Sequence, residues 1–394
     1  MGKIYLDYAA TTPLDRGVLK AMLPYLGQRY GNASSLHNFG QEAREAVEGA
    51  RYQAAKFLNC SITEIFFTGS ATEADNLAIL GVIKNSKLET RNSKPHIITS
   101  VIEHPAVLEP IKRLEKLGEI EATYLPVGKE GIVKVEDVEK AIKPNTILVS
   151  IMYANNEIGT IQPISDIGNW LKSKIKNQKS KIVFHTDAVQ AANYLDCDVK
   201  KLGVDLLTLS GHKIYGPKGV GVLYVKKGTT IEPILFGGHQ ENSLRPGTEN
   251  VAAIVGFGAA IEQTKNEKLK IKNLEKLRDK LLDGILKTIP KTSLNGSREN
   301  RLPNNANISF SGVEGESILM ALDQKGVAVS TGSACASGSL EPSHVLMALG
   351  LSHQQAHGSI RFTLGRYTTK DEINHVLKVL PELIQRLRKI SPLK

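Results

Sequence analysis

Two polar stretches of the sequence place residues that could do chemistry directly after apolar runs. Asp187 follows the run IVF in IVFHTDAVQ, and Lys213 follows DLLTL in the stretch SGHKIYGPKG over residues 210–219. A lysine at the end of a buried strand is costly as a simple charge, but the position suits a lysine that forms a Schiff base. A strand-end aspartate would be partly desolvated and would need a partner, although Asp187 could equally cap a turn.

A third stretch, TGSATEADNLAILGVI over residues 68–83, sets small and hydroxyl residues between a predicted strand and an amphipathic helix. The free N–H groups and the positive dipole end of a helix start suit a phosphate, with Ala71 and Thr72 as the contacts. The same residues also fit an ordinary helix N-cap followed by Glu73. From this stretch alone, both interpretations stay open.

Together the three stretches contain the parts that pyridoxal 5'-phosphate requires of a protein. The helix start would hold the phosphate, the aspartate would keep the pyridine nitrogen protonated, and the lysine would bind the cofactor and move protons. A protonated ring accepts electrons from the Cα atom of an amino-acid substrate. The sequence therefore predicts a pyridoxal-phosphate site at the carboxyl ends of neighbouring strands.

Nearly the whole chain carries motifs of one family. It resembles the cysteine desulfurases of the NifS and IscS type, within the class-V branch of the fold-type I pyridoxal-phosphate enzymes. The motifs that carry the resemblance run in order along the chain: YLDYAATTP (5–13), GNASSLH (31–37), IEHPAV (102–107), ANNEIG (154–159), HTDAVQ (185–190), SGHKIYGPKG (210–219), RPGTEN (245–250), STGSACASGSLEPSHVL (330–346) and SIRFTLGR (359–366). The resemblance implies conversion of L-cysteine to L-alanine, with the sulfur held as a persulfide on a cysteine of the chain.

The same resemblance implies the cofactor contacts. Lys213 would be the Schiff-base lysine, and His104 would stack on the pyridine ring and carry protons near neutral pH. Asp187 would contact the ring nitrogen, and Gln190 and Asn156 would lie near the phenolic oxygen. The phosphate contacts would be Ala71, Thr72, Ser210, His212 and, from the partner subunit, Thr248. A contact that the partner supplies implies a homodimer.

The resemblance also implies a substrate contact. Arg361 would bind the substrate carboxylate, with Asn32 and Asn156 nearby, and a planar guanidinium suits that bidentate hold. From the residues alone, Arg361 in SIRFTLGR could be a surface strand residue, and Arg366 would compete for the role.

Cys335 lies in TGSACASGSLEP, where Gly, Ser and Ala dominate and predict a mobile loop. The resemblance makes Cys335 the nucleophile that takes the substrate sulfur, and a candidate transient ligand of an iron–sulfur cluster. The implied sulfur acceptors are an iron–sulfur scaffold protein, tRNA-thiolation proteins, or both. Substitution of the other cysteines, Cys60 and Cys197, is expected to leave turnover nearly intact.

Three other kinds of protein fit parts of the sequence. An aminotransferase or another lyase of this fold would need Lys213 and Asp187 but no mobile cysteine, so Cys335 argues against it. Selenocysteine lyases are closer relatives, although the long loop around Cys335 better resembles the desulfurase branch. A basic RNA-binding scaffold fits the formal charge of +10 loosely, but opposite charges are interspersed and no aromatic-flanked basic patch exists.

The elements that must position these residues follow from the apolar pattern. Between about residues 60 and 225, helical patterns alternate with the apolar runs EIFFTG, HIITS, TILVSIM, IVFHTDA, VDLLTLS and VGVLYVK. This alternation predicts an α/β fold, with a mostly parallel, doubly wound sheet in a large domain and a smaller α+β domain. We expect an N-terminal arm over residues 1–15 that packs on the small domain. The large cofactor-binding domain would span 16–255, and the small domain with the cysteine loop would span 256–394.

Composition limits the remaining possibilities. The chain has 394 residues, of which 41% are hydrophobic and 23% charged, as in ordinary globular proteins. The sequence has no apolar run long enough for a membrane helix, and three scattered cysteines favour a reducing compartment, so we expect a cytoplasmic protein without direct membrane contact. The HQQAH stretch (353–357) has the histidine spacing of a zinc site, but it lacks the glutamate of metalloproteases, so no metal site is predicted.

Overall fold

The structure is a computed structural model of the chain. It describes residues 3–89, 94–175, 182–264, 268–331 and 341–392. Within these ranges the strands form three sheets, of seven, four and two strands.

Thirteen α-helices lie in the described ranges: α1 (Arg16–Leu26), α2 (Asn38–Leu58), α3 (Ala71–Glu89), α4 (Pro105–Lys116), α5 (Val135–Ala141), α6 (Ile164–Ile175), α7 (Val199–Leu202), α8 (Val251–Thr264), α9 (Lys268–Thr288), α10 (Gly315–Asp323), α11 (His344–Ala348), α12 (His353–His357) and α13 (Lys370–Ile390). Local sequence explains several of their starts. Thr369 and Glu372 form a reciprocal capping box at α13, and Pro105 follows the cap residue His104 at α4. None of these helices is long and apolar enough to cross a membrane.

The strands of the described ranges are short, as is usual for an α/β fold. They are β1 (Ile4–Tyr5), β2 (Ile65–Thr68), β3 (His96–Ser100), β4 (Glu121–Leu125), β5 (Thr146–Ser150), β6 (Val183–Asp187), β7 (Leu206–Ser210), β8 (Gly221–Val225), β9 (Thr292–Leu294), β10 (Asn305–Phe310), β11 (Val327–Ala328), β12 (Ser330–Thr331) and β13 (Ser359–Thr363). The six strands predicted from the apolar runs correspond to β2, β3, β5, β6, β7 and β8.

The seven-stranded sheet has the order β2-β8-β7-β6-β5-β3-β4. β8 runs antiparallel to both of its neighbours, and the remaining pairs are parallel. The predicted mostly parallel sheet is therefore confirmed. Sequence analysis missed β4, because this edge strand has the sequence EATYL and buries only Leu125 completely, so it shows no apolar run.

Helices cover both faces of this sheet, so its central strands are buried on both sides. In β7, Leu207 and Leu209 pack in a core with α1, α2, α6 and α8, whereas Leu206 packs in the opposite core with α3 and α4. Alternate side chains of a strand point to opposite faces, and a strand buried on both faces reads as a continuous apolar run. This explains why the central strands could be predicted without an alternating pattern.

A separate core joins β1, β10 and β13 to α9, α10 and α13. Ile4 and Leu6 of the N-terminal arm pack in this second core, and β1 pairs with β11. The predicted boundary between residues 255 and 256 falls inside α8, whose Phe257 and Ile261 belong to the core of the large sheet. The division into domains stays a proposal, and the two cores favour a boundary between α8 and α9.

Candidate active site

Six strands of the large sheet run in the same direction and end at one edge, and five of them lead to residues of the candidate site. β2 leads into α3, β3 ends just before His104, and β5 ends before Asn156. β6 ends at Asp187 itself, and β7 leads into the short turn that contains Lys213. Since the carboxyl ends of parallel strands meet at the same edge, residues that are far apart in the sequence are brought together here.

A cavity of about 530 Å³ opens at this edge. Ten residues that the sequence analysis singled out line it: Ala71, Thr72, His104, Asn156, Asp187, Gln190, Ser210, His212, Lys213 and Arg361. The cavity thus unites residues from α3, four strand ends and β13. An enclosed space with few convergent charged groups is the usual form of a cofactor site.

Lys213 is positioned by a tight turn and by a second chain segment. β7 passes into a 3₁₀ turn over Gly211–Lys213. A Cβ atom on Gly211 would lie 2.8 Å from the carbonyl oxygen of Pro217, so this close approach requires glycine. The side-chain amide of Asn193 donates to the carbonyl oxygen of Lys213 at 2.6 Å, which fixes the lysine backbone from the β6 side.

The amine of Lys213 contacts the N-terminal arm. Its Nζ donates to the carbonyl oxygen of Ala9 at 2.5 Å and to that of Ala10 at 2.7 Å. Neither alanine was predicted to belong to the site. The motif YLDYAATTP contains both residues, but a backbone carbonyl contact has no side-chain pattern from which it could have been predicted.

Asp187 is a buried carboxylate at the end of β6. Burial raises its pKa to about 6, while the N–H of Val189, which donates to Oδ1 at 2.9 Å, and the charge of Lys213 lower it. A cation bound in the cavity would lower this pKa further. Asp187 therefore serves both interpretations: it caps the turn after β6, and its carboxyl group faces the cavity that Lys213 also lines.

Asp75 is a second buried carboxyl group at the cavity, and it was not predicted. It lies four residues after Ala71 on α3 and is 1% exposed. Its Oδ1 accepts no hydrogen bond from the described residues, and Nε2 of His185 is 3.5 Å away. Burial and the charge of Asp187 raise the pKa of Asp75 well above its ordinary value. The i, i+4 spacing in ATEAD was the one sequence signal that could have found it.

The start of α3 combines the two interpretations that the sequence left open. Ser70 caps the helix, because its Oγ accepts from the N–H of Glu73 at 3.1 Å, and Glu73 in turn accepts from the N–H of Gly69 at 2.8 Å. Ser70, Ala71 and Thr72 also line the cavity. The cap and an anion cradle are thus compatible, since capping by Ser70 leaves other N–H groups of the first turn available.

His104 caps α4 beside the cavity. Its Nδ1 accepts from the N–H of Ala106 at 3.1 Å, which assigns the ring proton to Nε2. Burial, helped by the charges of Lys213 and His344, lowers its pKa to about 4. The sequence predicted a histidine that titrates near neutral pH, but burial keeps this imidazole neutral. Its role as proton carrier stays a prediction, with Nε2–H as the group that can donate.

Arg361 is one of the largest fully buried side chains of the described residues, with 2% exposure. β13 holds its backbone between Asn307 of β10 and Ser330 of β12. Its Nη1 donates to the carbonyl oxygen of Asn156 at 3.0 Å, and its Nη2 donates to Asp7 at 2.8 Å. Its Nε makes no hydrogen bond to the described residues. A buried guanidinium with an unused N–H group can bind a carboxylate.

Arg366, the competing arginine, has other partners. Its Nη1 donates to Asp15 at 3.2 Å and to Gln263 at 3.1 Å, and its guanidinium lies 4.1 Å from the centre of the Tyr215 ring. It does not line the cavity that contains Lys213. The geometry therefore favours Arg361 over Arg366 for a substrate carboxylate.

Two predicted residues lie outside the cavity in the single chain. Asn32 is exposed, and its Oδ1 accepts from the N–H of Ser34 at 2.9 Å. Thr248 is also exposed, in the segment that follows Arg245. For Thr248 the prediction requires this, because its contact would be made across a dimer. For Asn32, the single chain gives no support to a role beside the substrate.

Cys335 lies outside the described residues. Both flanks of its segment are attached near the cavity: Ser330 pairs with Arg361, and His344 contacts the carbonyl oxygen of Glu103 at 3.0 Å through Nε2. Cys335 follows Thr331 by four positions, and a fully extended chain of four residues spans at most about 14 Å.

Neither of the other two cysteines lines the cavity. Cys60 follows α2 and is half-buried, and burial raises its pKa to about 12. Cys197 is buried in the core of the large sheet, where burial also raises its pKa. Thiols with raised pKa values are weak nucleophiles at neutral pH. In the part of the chain that the structure describes, no group of His, Cys, Asp and Glu residues could hold a metal ion.

The donor set fits pyridoxal phosphate. An amine for the aldehyde, a carboxylate for the ring nitrogen and a helix start for the phosphate face one space, supplied by Lys213, Asp187 and α3. Two buried polar atoms that make no hydrogen bond to the described residues, Oδ1 of Asp75 and Nε of Arg361, belong to residues that line the same space. Such atoms are costly unless a ligand or water pairs with them.

Known proteins are similar to this chain over nearly its whole length. The family model of the class-V aminotransferases matches residues 4–376. A protein of Dictyoglomus turgidum named cysteine desulfurase IscS is 55% identical over 393 residues, which cover 100% of this chain and 97% of the relative.

Solved structures agree with this similarity. One titled NifS-like protein has a TM-score of 0.89 at 40% identity and covers 98% of this chain and 100% of its own. Another, titled SspA in complex with cysteine, has a TM-score of 0.80 at 38% identity and covers 93% and 100%. The predicted fold class and pyridoxal-phosphate dependence are confirmed. The chain belongs to the class-V aminotransferase family, whose members are pyridoxal-phosphate enzymes.

Proposed function

We propose that the chain is a cysteine desulfurase, which converts L-cysteine to L-alanine and passes the sulfur on through Cys335. The observation that carries the proposal is the convergence of Lys213, Asp187 and Arg361 on one cavity. Pyridoxal phosphate, when bound there, withdraws electrons from the Cα atom of the amino acid. L-Cysteine as the substrate is supported by the relative named cysteine desulfurase and by the similar structure titled as a complex with cysteine.

Different residues of the cavity would bind different groups of the cofactor. Lys213 would bind its aldehyde, and Asp187 would hold the proton on the ring nitrogen. Gln190 and Asn156 would lie near the phenolic oxygen, and His104 would stack on the ring. The phosphate would lie at the start of α3, with contacts from Ala71, Thr72, Ser210 and His212.

Arg361 would bind the substrate carboxylate and so orient the Cα–H bond. The amine of Lys213, when it is not attached to the cofactor, would be the base that takes the Cα proton of the substrate. The resulting ammonium has acceptors in place, because the carbonyl oxygens of Ala9 and Ala10 lie 2.5 and 2.7 Å from Nζ. The proton can therefore stay on Lys213 until the carbon of the product needs it.

Transfer of sulfur from L-cysteine to Cys335 needs no external oxidant. The Cys335 thiolate attacks the substrate sulfur, so an S–S bond forms while the C–S bond breaks. The electron pair of the broken bond goes to the substrate carbon, which takes a proton and becomes the methyl group of L-alanine. Cys335 is left as a persulfide, and its outer sulfur is the one that an acceptor receives.

Replacing Asp187 with asparagine should slow turnover by about a hundredfold to a thousandfold while the cofactor still binds. A neutral amide cannot keep the ring nitrogen protonated, so the loss is expected in the rate constant. The measurement is the rate of alanine formation at saturating cofactor, together with cofactor content. Asp205→Asn is the matched control, because Asp205 is also buried but pairs with Lys226 at the other end of β7. Equal turnover of the Asp187 variant and wild type would reject the assignment.

We further propose that two copies of the chain form a homodimer. Four exposed large apolar residues lie within 14 positions around the end of α1 and the start of α2, and the rings of two of them, Tyr30 and Phe39, are 5.7 Å apart. We call them the α1–α2 patch: Leu26, Tyr30, Leu36 and Phe39, which are 64%, 74%, 88% and 53% exposed. Monomers seldom expose large apolar side chains together. Thr248 is exposed as well, so a second copy that covers this face would allow the chain to supply Thr248 to a partner.

A second cavity supports the same face as the interface. It measures about 660 Å³ and shares no lining residue with the cavity of Lys213. Its lining includes Ala33, Ser34 and Glu249, which are sequence neighbours of the two residues left outside the first cavity, Asn32 and Thr248. A partner seated here would therefore meet both residues.

The double substitution Leu36→Glu and Phe39→Glu should convert the dimer to a monomer and weaken cofactor retention by about tenfold or more, because the partner's phosphate contact is lost. Sedimentation velocity measures the first effect, and cofactor content after dialysis measures the second. Met320→Glu is the control, since Met320 is 65% exposed on α10, away from the α1–α2 patch. A double variant that remains dimeric would contradict the proposed interface.

The acceptors of the sulfur are proposed from the family resemblance: an iron–sulfur scaffold protein, tRNA-thiolation proteins, or both. Cys335 would also be the residue that transiently ligates a cluster. Three scattered cysteines favour a reducing compartment, so the proposed location of the activity is the cytoplasm. Co-purification of the native protein with its acceptors tests this part of the proposal.

A further inference from the structure

The N-terminal arm places a carboxylate on the guanidinium that is proposed to bind substrate. Oδ1 of Asp7 lies 2.8 Å from Nη2 of Arg361. The Arg361 side chain is 2% exposed and the Asp7 side chain 19%, so the pair is largely shielded from water. Arg361 therefore has a counter-ion from its own chain before any substrate arrives.

The backbone on both sides of Asp7 is fixed. The carbonyl oxygen of Leu6 accepts from the N–H of Thr363 at 2.8 Å, and the N–H of Tyr8 donates to the carbonyl oxygen of Thr363 at 3.3 Å. Leu6 and Tyr8 are both buried. The backbone of Asp7 therefore cannot move away from Arg361 without breaking this pairing.

The other acidic group near Arg361 has a different position. Glu157 is buried, burial raises its pKa to about 7, and the charge of Arg361 lowers it. Its Oε2 accepts from the hydroxyl of Ser343 at 2.5 Å. Among the described residues, Asp7 is the carboxylate that contacts the guanidinium of Arg361 directly.

A carboxylate in this position has two opposite effects. It stabilises the empty site, because a buried guanidinium without a counter-ion is costly. It also repels an incoming carboxylate and shares the same cation with it. L-Alanine carries the same α-carboxylate as L-cysteine. Tighter binding of this carboxylate by Arg361 therefore also slows release of the product.

We propose that Asp7 is a built-in counter-ion of Arg361 that weakens the hold on the α-carboxylate and so promotes release of L-alanine. The inference rests on the proposed function, in which Arg361 binds the substrate carboxylate. Asp7 acts through Arg361 and is an affinity-setting residue of the site. It is contributed by the arm, 354 positions away in the sequence.

The test is the binding of L-alanine to the cofactor-loaded enzyme, followed by the change in cofactor absorbance. Asp7→Asn should bind L-alanine about tenfold more tightly than wild type, because one negative charge beside the ligand carboxylate is removed. Binding of cysteamine, which lacks the carboxylate, should be unchanged. A residue that merely kept Arg361 in place would give the opposite sign, since a misplaced guanidinium binds carboxylates less well.

Asp15→Asn is the matched control. Asp15 also lies in the N-terminal segment and also pairs with an arginine, Arg366, at 3.2 Å, but Arg366 does not line the cavity. Its L-alanine affinity should equal that of wild type. Asp7→Ser provides a second variant without a carboxylate, and it should match Asp7→Asn if charge is the cause.

A measurement without the cofactor gives an independent readout. Propionate should raise the melting temperature of cofactor-free Asp7→Asn more than that of cofactor-free wild type, because the ligand replaces the missing counter-ion. The variant Arg361→Gln distinguishes a failure of the proposed substrate contact from a failure of the counter-ion role of Asp7. If it left L-alanine affinity unchanged, the substrate contact in the proposed function would fail. If it weakened binding while both Asp7 variants bound L-alanine no more tightly than wild type, the counter-ion role alone would be overturned.

Discussion

Replacing Lys213 with alanine is expected to abolish both the covalent attachment of the cofactor and the formation of alanine. The structure places the amine of Lys213 in the cavity with Asp187, and its backbone is held by Asn193 at 2.6 Å. Without this amine, no group remains in the assigned position to take the Cα proton. Turnover should therefore fall by at least about a thousandfold. The measurement is alanine produced per chain, with borohydride reduction and peptide mass analysis to locate the attached cofactor.

Lys218→Ala is the control for this experiment. Lys218 also lines the cavity, but it is exposed and lies beyond the turn that carries Lys213. Its variant should keep the attached cofactor and most of its turnover. Attachment of the cofactor to Lys218 in the wild-type protein, or alanine formation by the Lys213 variant, would contradict the assignment.

Replacing Cys335 with serine is expected to stop sulfur removal while the protein remains folded and coloured by its cofactor. The residues assigned to cofactor binding, among them Lys213, Asp187 and Gln190, do not include Cys335. A serine hydroxyl has a far higher pKa than a thiol and cannot form a persulfide, so alanine and sulfide should both fall to background. The measurements are cofactor absorbance, the absorbance change on adding L-cysteine, and alanine formed per cofactor.

Cys60→Ser and Cys197→Ser are the matched controls. Burial raises the pKa of both thiols, and neither residue lines the cavity, so both variants should keep nearly full turnover. If Cys335→Ser produced alanine at the wild-type rate, the sulfur would not be taken by Cys335. A different lyase or an aminotransferase on the same fold would then account for the activity.

Much of the fold could be predicted because its central strands are buried on both faces. β3, β5, β6 and β7 each read as an apolar run followed by a polar residue, and that polar residue marks the carboxyl edge of the sheet. Asp187 and Lys213 could be placed at this edge from the sequence alone. The antiparallel direction of β8 could not be predicted, since neither burial nor composition records the direction of a strand. The edge strand β4 could not be predicted because it contains no apolar run.

The contacts of the N-terminal arm with the site could not be predicted from the sequence. Asp7 meets Arg361 across 354 positions, and Ala9 meets Lys213 across 204. No periodicity connects residues at such separations, and the contact of Ala9 is made by a backbone carbonyl. Asp75 is different, because its spacing from Ala71 on α3 was visible in the sequence, although nothing marked its carboxyl group as buried.

Asn32 and Thr248 show a second limit. The resemblance implied roles for both at the site, yet the single chain holds both on its exposed surface. A residue that acts across an interface has no signature in the chain that contains it. The α1–α2 patch is the physical feature that makes a partner at this face reasonable.

A single-turnover reaction with unlabelled protein tests the central claim most directly. The cofactor-loaded enzyme is mixed with one equivalent of L-cysteine and no acceptor or reductant, and alanine and the masses of the three cysteine peptides are measured. If Cys335 takes the substrate sulfur, we expect one alanine per active site and the added mass of one sulfur atom on the Cys335 peptide. Alanine without added sulfur on that peptide, or added sulfur on the peptide of Cys60 or Cys197, would contradict it.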